Sequence, residues 1–126
     1  MPLLLVMIGG AFGAGLRYMV GRLSLALVGP GYPWGTWAIN LSGGLLMGLL
    51  AGLLARHPSA GNENIRLLLG AGALGGFTTF STFSLEAANM IQRGEWGSAL
   101  VYVTSSAVGA ILLLFAGLAL SRMVPA

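Results

Sequence analysis

Four long apolar runs divide the chain, at roughly residues 3–27, 34–55, 65–91 and 96–121, and helix breakers and charges gather between them. The separating segments are Gly29-Pro30-Gly31-Tyr32-Pro33, then Arg56-His57-Pro58 through Asn64, then Gln92-Arg93-Gly94-Glu95. Each run reaches the length of about twenty residues that a helix needs to cross the hydrocarbon core. A membrane β-barrel would instead read as short alternating segments of about ten residues. The pattern therefore predicts an all-α membrane protein, with four transmembrane helices forming a single domain over 1–126. Tyr32, Trp34 and Trp37 cluster at one span end and Trp96 at another, positions that suit anchoring at the membrane interface. The first run starts apolar, without a preceding Lys or Arg and without a small-residue cleavage site, and so reads as the first span rather than a removable signal.

Composition narrows the function classes. Of 126 residues, 56% are hydrophobic and only 7% charged, with a mean hydropathy of +0.88, which excludes a water-soluble globule. Six arginines, no lysine and three glutamates are spread thinly, so there is no basic footprint for nucleic acid. Without Cys, disulfides, iron–sulfur clusters and thiol chemistry are excluded, and the lone His57 does not assemble a metal site with three scattered glutamates. No phosphate-binding motif for ATP is present.

Orientation in a membrane follows the side that carries more Lys and Arg. With an even number of spans, one side carries Arg56, Arg66 and Arg122, and the other carries Arg17, Arg22 and Arg93. The balance gives the insertion machinery no bias and predicts insertion both ways up, for which an antiparallel homodimer is the natural assembly.

Glycine spacing points to tight helix packing. Gly44, Gly48 and Gly52 repeat every four residues, as do the pairs Gly9/Gly13 and Gly72/Gly76, and small residues let membrane helices approach closely. The stripe on the second span continues through Asn40 and Thr36, giving one face a polar end that resembles a lined groove.

Ionisable groups inside a span are functional candidates by default. Arg17 fits either an interfacial anchor that snorkels outward or a group that attracts anions. Glu86 fits a proton carrier, a partner for an arginine, or the marker of a wide vestibule. The densest polar signal is Gly75-Gly76-Phe77-Thr78-Thr79-Phe80-Ser81-Thr82-Phe83-Ser84. Paired glycines followed by hydroxyl residues predict an interruption near Gly75 to Thr79, tolerated in a membrane where freed backbone lines a cavity or binds something. Its carbonyls suit a cation, and the hydroxyls of Ser81, Thr82 and Ser84 suit an anion. The same residues also fit an ordinary helix whose hydroxyls bond back to their own turn. Phe80 and Phe83 share a face, and ring edges are electropositive. In the fourth span Ser98, Tyr102 and Ser106 repeat at spacing four, beside Thr104 and Ser105.

At these residues the chain resembles the small fluoride channels of the CrcB, or Fluc, family. The matching stretches are GGAFGAGLRY at 9–18, GTWAINLSGG at 35–44 and GALGGFTTFSTFS at 72–84, joined by Tyr102 and Ser106. Together with length and span number they cover essentially the whole chain. The resemblance implies a single transmembrane channel domain in the cell (inner) membrane, with the third helix broken near its middle. It also implies a dual-topology, antiparallel homodimer with two fluoride pathways and a structural sodium ion at the dimer centre. Position by position, Asn40, Phe80 and Phe83 match the family's pore-lining groups, and Ser81, Thr82, Tyr102 and Ser106 continue a polar track. The backbone carbonyls of Gly75 and Thr78 match the sodium ligands, and Arg17 matches the vestibule arginine. Trp37 is bulkier than the resemblance leads one to expect, a bulk that narrows one entrance.

Two other readings compete. A proton-coupled exporter of the small multidrug type is also short and four-spanned, but it needs a carboxylate in the first span; here Glu86 is the only substitute. A non-transporting assembly would make the hydroxyl stripes interhelical glue.

Overall fold

The computed structural model describes residues 2–56, 61–78 and 80–124; His57 and Thr79 lie outside them. All regular structure among the described residues is helical: α1 (Pro2–Val28), α2 (Trp34–Arg56), α3 (Gly61–Ile65), a π-helical segment (Arg66–Leu74), α4 (Gly75–Phe77), α5 (Phe80–Gln92) and α6 (Trp96–Ser121). Among the described residues four stretches are long and apolar enough to cross a membrane, Pro2–Val28, Trp34–Arg56, Glu63–Gln92 and Trp96–Ser121. They match the four apolar runs to within two residues at each end, because length and hydropathy alone decide where a helix can satisfy its backbone inside lipid.

The helices associate through two glycine seams. In the first, α2 lies along α6: a Cβ on Gly44 would strike the backbone of Ala110, one on Gly48 that of Leu114, and one on Gly52 the Ser121 side chain. In the second, Gly9 and Gly13 of α1 abut Leu68 and Ala73 of the π-helical segment, and a Cβ on Gly76 would come 2.5 Å from the Gly10 carbonyl oxygen. Lipid tails are as apolar as leucine, so packing rather than hydrophobicity drives this association. The stripe through Gly44, Gly48 and Gly52 is thus a contact seam, and only its Asn40 and Thr36 end faces a cavity.

Large apolar side chains such as Leu3, Phe12, Leu100, Ile111 and Phe115 are exposed over the outer faces, as lipid-facing surfaces require. The small buried cluster holds Phe83, Met90, Ala99 and Tyr102, with Tyr32, Trp37 and Ala87 packed on it. The tight turn into α6 is closed by Gly94 at φ 78. Glu95 N–H donates to the Met90 carbonyl (2.8 Å) and Gly94 N–H to that of Ile91 (3.0 Å), the bonding of a Schellman motif, whose left-handed residue is usually glycine.

Candidate functional site

Two cavities are lined in part by α2 and α5, and neighbouring residues of each helix contribute to both. The first, about 430 Å³, is lined by Thr36 and Ile39 of α2, Thr82, Glu86 and Asn89 of α5, Arg93 in the turn just past its end, Arg17 and Arg22 of α1, and Tyr32 of the connection between α1 and α2. The second, about 490 Å³, is lined by Asn40, Gly75, Thr78, Phe80, Phe83, Ser106, Ala107 and Ala110.

Tyr102 is fully buried and touches residues from the walls of both cavities. Its hydroxyl donates to Glu86 Oε1 at 3.1 Å. Its ring lies 5.0 Å from that of Phe83 and meets Tyr32 edge-on at 5.5 Å. Phe83 in turn lies 5.9 Å from Phe80, so a row of rings runs from the first cavity into the second.

Backbone geometry shapes the second cavity. α4 ends at Phe77, Thr78 is extended at φ −87 and ψ 155, and α5 begins at Phe80. The Leu74 carbonyl receives both the Thr78 N–H (3.0 Å) and the Thr78 hydroxyl (2.9 Å). An extended ψ turns the Thr78 carbonyl out of the helical ladder. The Thr78 methyl is accommodated only because Gly43 of α2 carries no side chain there. Arg17 Nε donates to the Gly76 carbonyl at 3.2 Å, holding α1 against the end of α4.

Hydroxyls divide into two kinds. Ser84 donates to the Phe80 carbonyl (2.8 Å) and Ser42 to that of Ala38 (2.7 Å), so these bond back to their own helices, and the anion role considered for Ser84 has no free hydroxyl to carry it. Ser106 differs: its Oγ is buried and without a hydrogen-bond partner among the described residues, in the wall of the second cavity beside Asn40 and the two phenylalanines. Buried polar atoms are nearly always satisfied, so an orphan hydroxyl facing a cavity points to an absent guest.

The sequence-predicted residues are therefore distributed as follows. Asn40, Phe80, Phe83 and Ser106 meet at the second cavity, with Gly75 and Thr78. Arg17, Thr82 and Glu86 line the first. Tyr102 joins them. Ser81 and Ser98 are exposed and outside both linings. Trp37 is not an interfacial anchor alone: it packs on the buried cluster and its Nε1 donates to Ser105 Oγ at 3.1 Å. Asn89, Arg93 and Tyr32 are not among the site residues to which the sequence points. The signal for two of them is present in the sequence, since Thr82, Glu86, Asn89 and Arg93 form a polar stripe at helical spacing along α5 and into the turn after it.

Comparison with known proteins adds the family. The sequence profile of the family described as CrcB-like protein, Camphor Resistance (CrcB), matches residues 4–118. A protein of Phenylobacterium zucineum named fluoride-specific ion channel FluC is 57% identical over 122 residues, covering 97% of this chain and 96% of the relative. Proteins of the same name from Novosphingobium aromaticivorans and Caulobacter vibrioides are 56% identical over 119 residues and 51% identical over 122 residues. They cover 93% and 97% of this chain, and 93% and 96% of their own lengths.

Proposed function

This chain belongs to the CrcB family, and from that premise we propose that it is a passive, fluoride-selective channel of the cell (inner) membrane through which fluoride leaves the cytoplasm. The observation that carries this reading is the orphaned Ser106 hydroxyl in a cavity shared with the Asn40 amide and the Phe80 and Phe83 rings. Fluoride is small and strongly hydrated, so a pathway must replace its water with convergent donors. A hydroxyl, an amide and electropositive ring edges do so without a fixed charge. Neutral donors hold the ion firmly enough to admit it and loosely enough to release it, the condition for conduction. Hydrogen fluoride crosses bilayers as the neutral acid and dissociates inside. The membrane potential then drives the anion outward with about 2.3 kcal/mol per charge for every ~100 mV, and no ATP is needed.

The path runs from the first cavity, whose arginines attract anions, past the Tyr102–Glu86 pair and the Phe83 ring into the second cavity. In this reading the break in the third helix falls at Thr78. The second cavity is open where Gly75 and Phe80 are exposed, Phe80 to 79%, a wall that a second copy would complete. The balanced arginines favour two copies of opposite orientation, an antiparallel homodimer of dual topology. The Gly75 and Thr78 carbonyls suit a hard cation such as sodium, since the extended Thr78 backbone turns its carbonyl out of the ladder. A sodium ion there would supply positive charge that ties two copies together.

The proton-coupled exporter is not favoured: the first span lacks a carboxylate, and Glu86 already accepts the Tyr102 hydroxyl. The test is fluoride release from liposomes carrying Asn40→Asp or Phe80→Ile. Each substitution is expected to slow release roughly tenfold or more, equivalent to about 1.4 kcal/mol of barrier. Wild-type rates in both variants would remove the pore assignment.

A further inference from the structure

The first cavity is far larger than a fluoride ion requires, at about 430 Å³, and it is the most cationic place in the described structure, with Arg17, Arg22 and Arg93 in its wall. The three are not equivalent. Arg93 is paired with Glu95 at 3.1 Å. Arg17 uses Nε on the Gly76 carbonyl, and its terminal nitrogens have no partner among the described residues. Arg22 has neither a hydrogen bond nor an ion pair among them; its guanidinium stands 6.0 Å over the Tyr18 ring. The one carboxylate opposite, Glu86, is taken up at the deep end by Tyr102. Two guanidiniums at the mouth are thus left to an anion from outside.

The mouth also has the chemistry of headgroup depth. Tyr18 and Trp34 line it and are exposed, to 64% and 40%, and amphipathic rings of this kind settle at the lipid–water interface. Guanidinium forks match tetrahedral phosphate oxygens in pairs, and basic pockets between membrane helices at this depth are where lipid phosphates bind.

We propose that the cavity mouth at Arg17 and Arg22 binds a phosphate group, supplied by an anionic phospholipid headgroup or by free phosphate, and that this occupant restrains anion access to the pathway. The consequence for flux rests on the channel reading above; the binding itself does not. A phosphate at Arg22 would cancel the positive charge that draws fluoride in, so occupancy lowers flux.

The test has a binding arm and a flux arm. Native mass spectrometry of the purified protein with added phosphatidylglycerol should show retained lipid adducts, reduced several-fold in Arg22→Gln relative to wild type. Arg22 is exposed, so this substitution leaves the packing intact. Arg93→Gln, which removes a charge already paired, should keep the adducts. In the flux arm, wild-type fluoride release is compared in vesicles of phosphatidylcholine alone, in an equal mixture with phosphatidylglycerol, and in phosphatidylcholine with inorganic phosphate outside. Slowing by phosphatidylglycerol that Arg22→Gln abolishes supports the lipid as source. Slowing by inorganic phosphate alone, again dependent on Arg22, supports free phosphate. Adducts indifferent to Arg22, with release equal in all three vesicles, overturn the proposal. If no fluoride is released under any condition while adducts depend on Arg22, the channel reading fails and the phosphate site stands.

Discussion

The Tyr102 hydroxyl reaches Glu86 Oε1 at 3.1 Å from a ring that is itself fully buried, so a donor on α6 holds a carboxyl group of α5 that lines the first cavity. Tyr102→Phe keeps the ring contact with Phe83 but leaves that carboxylate without its donor. An internal hydrogen bond of this kind contributes about 0.5–1.5 kcal/mol net. The variant should therefore melt earlier in detergent, whereas Glu86→Gln, which retains an acceptor, should melt close to wild type. Equal melting of wild type and Tyr102→Phe would show that the bond holds nothing in place.

Ser106→Ala separates stability from conduction. The native hydroxyl is buried without a partner among the described residues, a condition that costs roughly 1–3 kcal/mol. Removing it should leave thermal stability unchanged or higher while fluoride release falls. A variant that is both less stable and fully active would assign Ser106 to packing.

The glycine seams make a purely structural prediction. A methyl at Gly48 would collide with the Leu114 backbone, which has no flexible end to yield, whereas Gly15 and Gly97 have nothing within 4 Å of an added Cβ. Overpacking of this kind costs about 1–3 kcal/mol. Gly48→Ala should lower the melting temperature and the folded yield; Gly15→Ala and Gly97→Ala should be neutral or slightly stabilising.

The balanced arginines predict that an impermeant reagent labels a C-terminal tag from both membrane faces in intact cells and inverted vesicles. Labelling confined to one face would defeat the dual-topology reading.

Much of this was legible in the sequence, for identifiable reasons. Span limits follow from apolar length, and the paired glycines declared the seams because close backbone approach has few other solutions. The Asn40, Phe80, Phe83 and Ser106 grouping was legible only through the resemblance, since spacing along one helix says nothing of what stands opposite. The π-helical turn over Arg66–Leu74 left no compositional mark, because it is a shift of backbone register rather than of residue type. The back-bonding of Ser84 and the inward turn of Trp37 toward Ser105 were equally hidden: each depends on a rotamer, and the same residue types in the same pattern fit the outward alternatives.

The central claim is that uncharged donors and ring edges pass the smallest halide and exclude larger ones. It is tested most directly by reconstituting the wild-type protein in liposomes and recording fluoride and chloride release with a potassium ionophore present to collapse the voltage. Rapid release of fluoride without chloride is the predicted result; release of both ions together, or fluoride release that stops without a proton gradient, would contradict it.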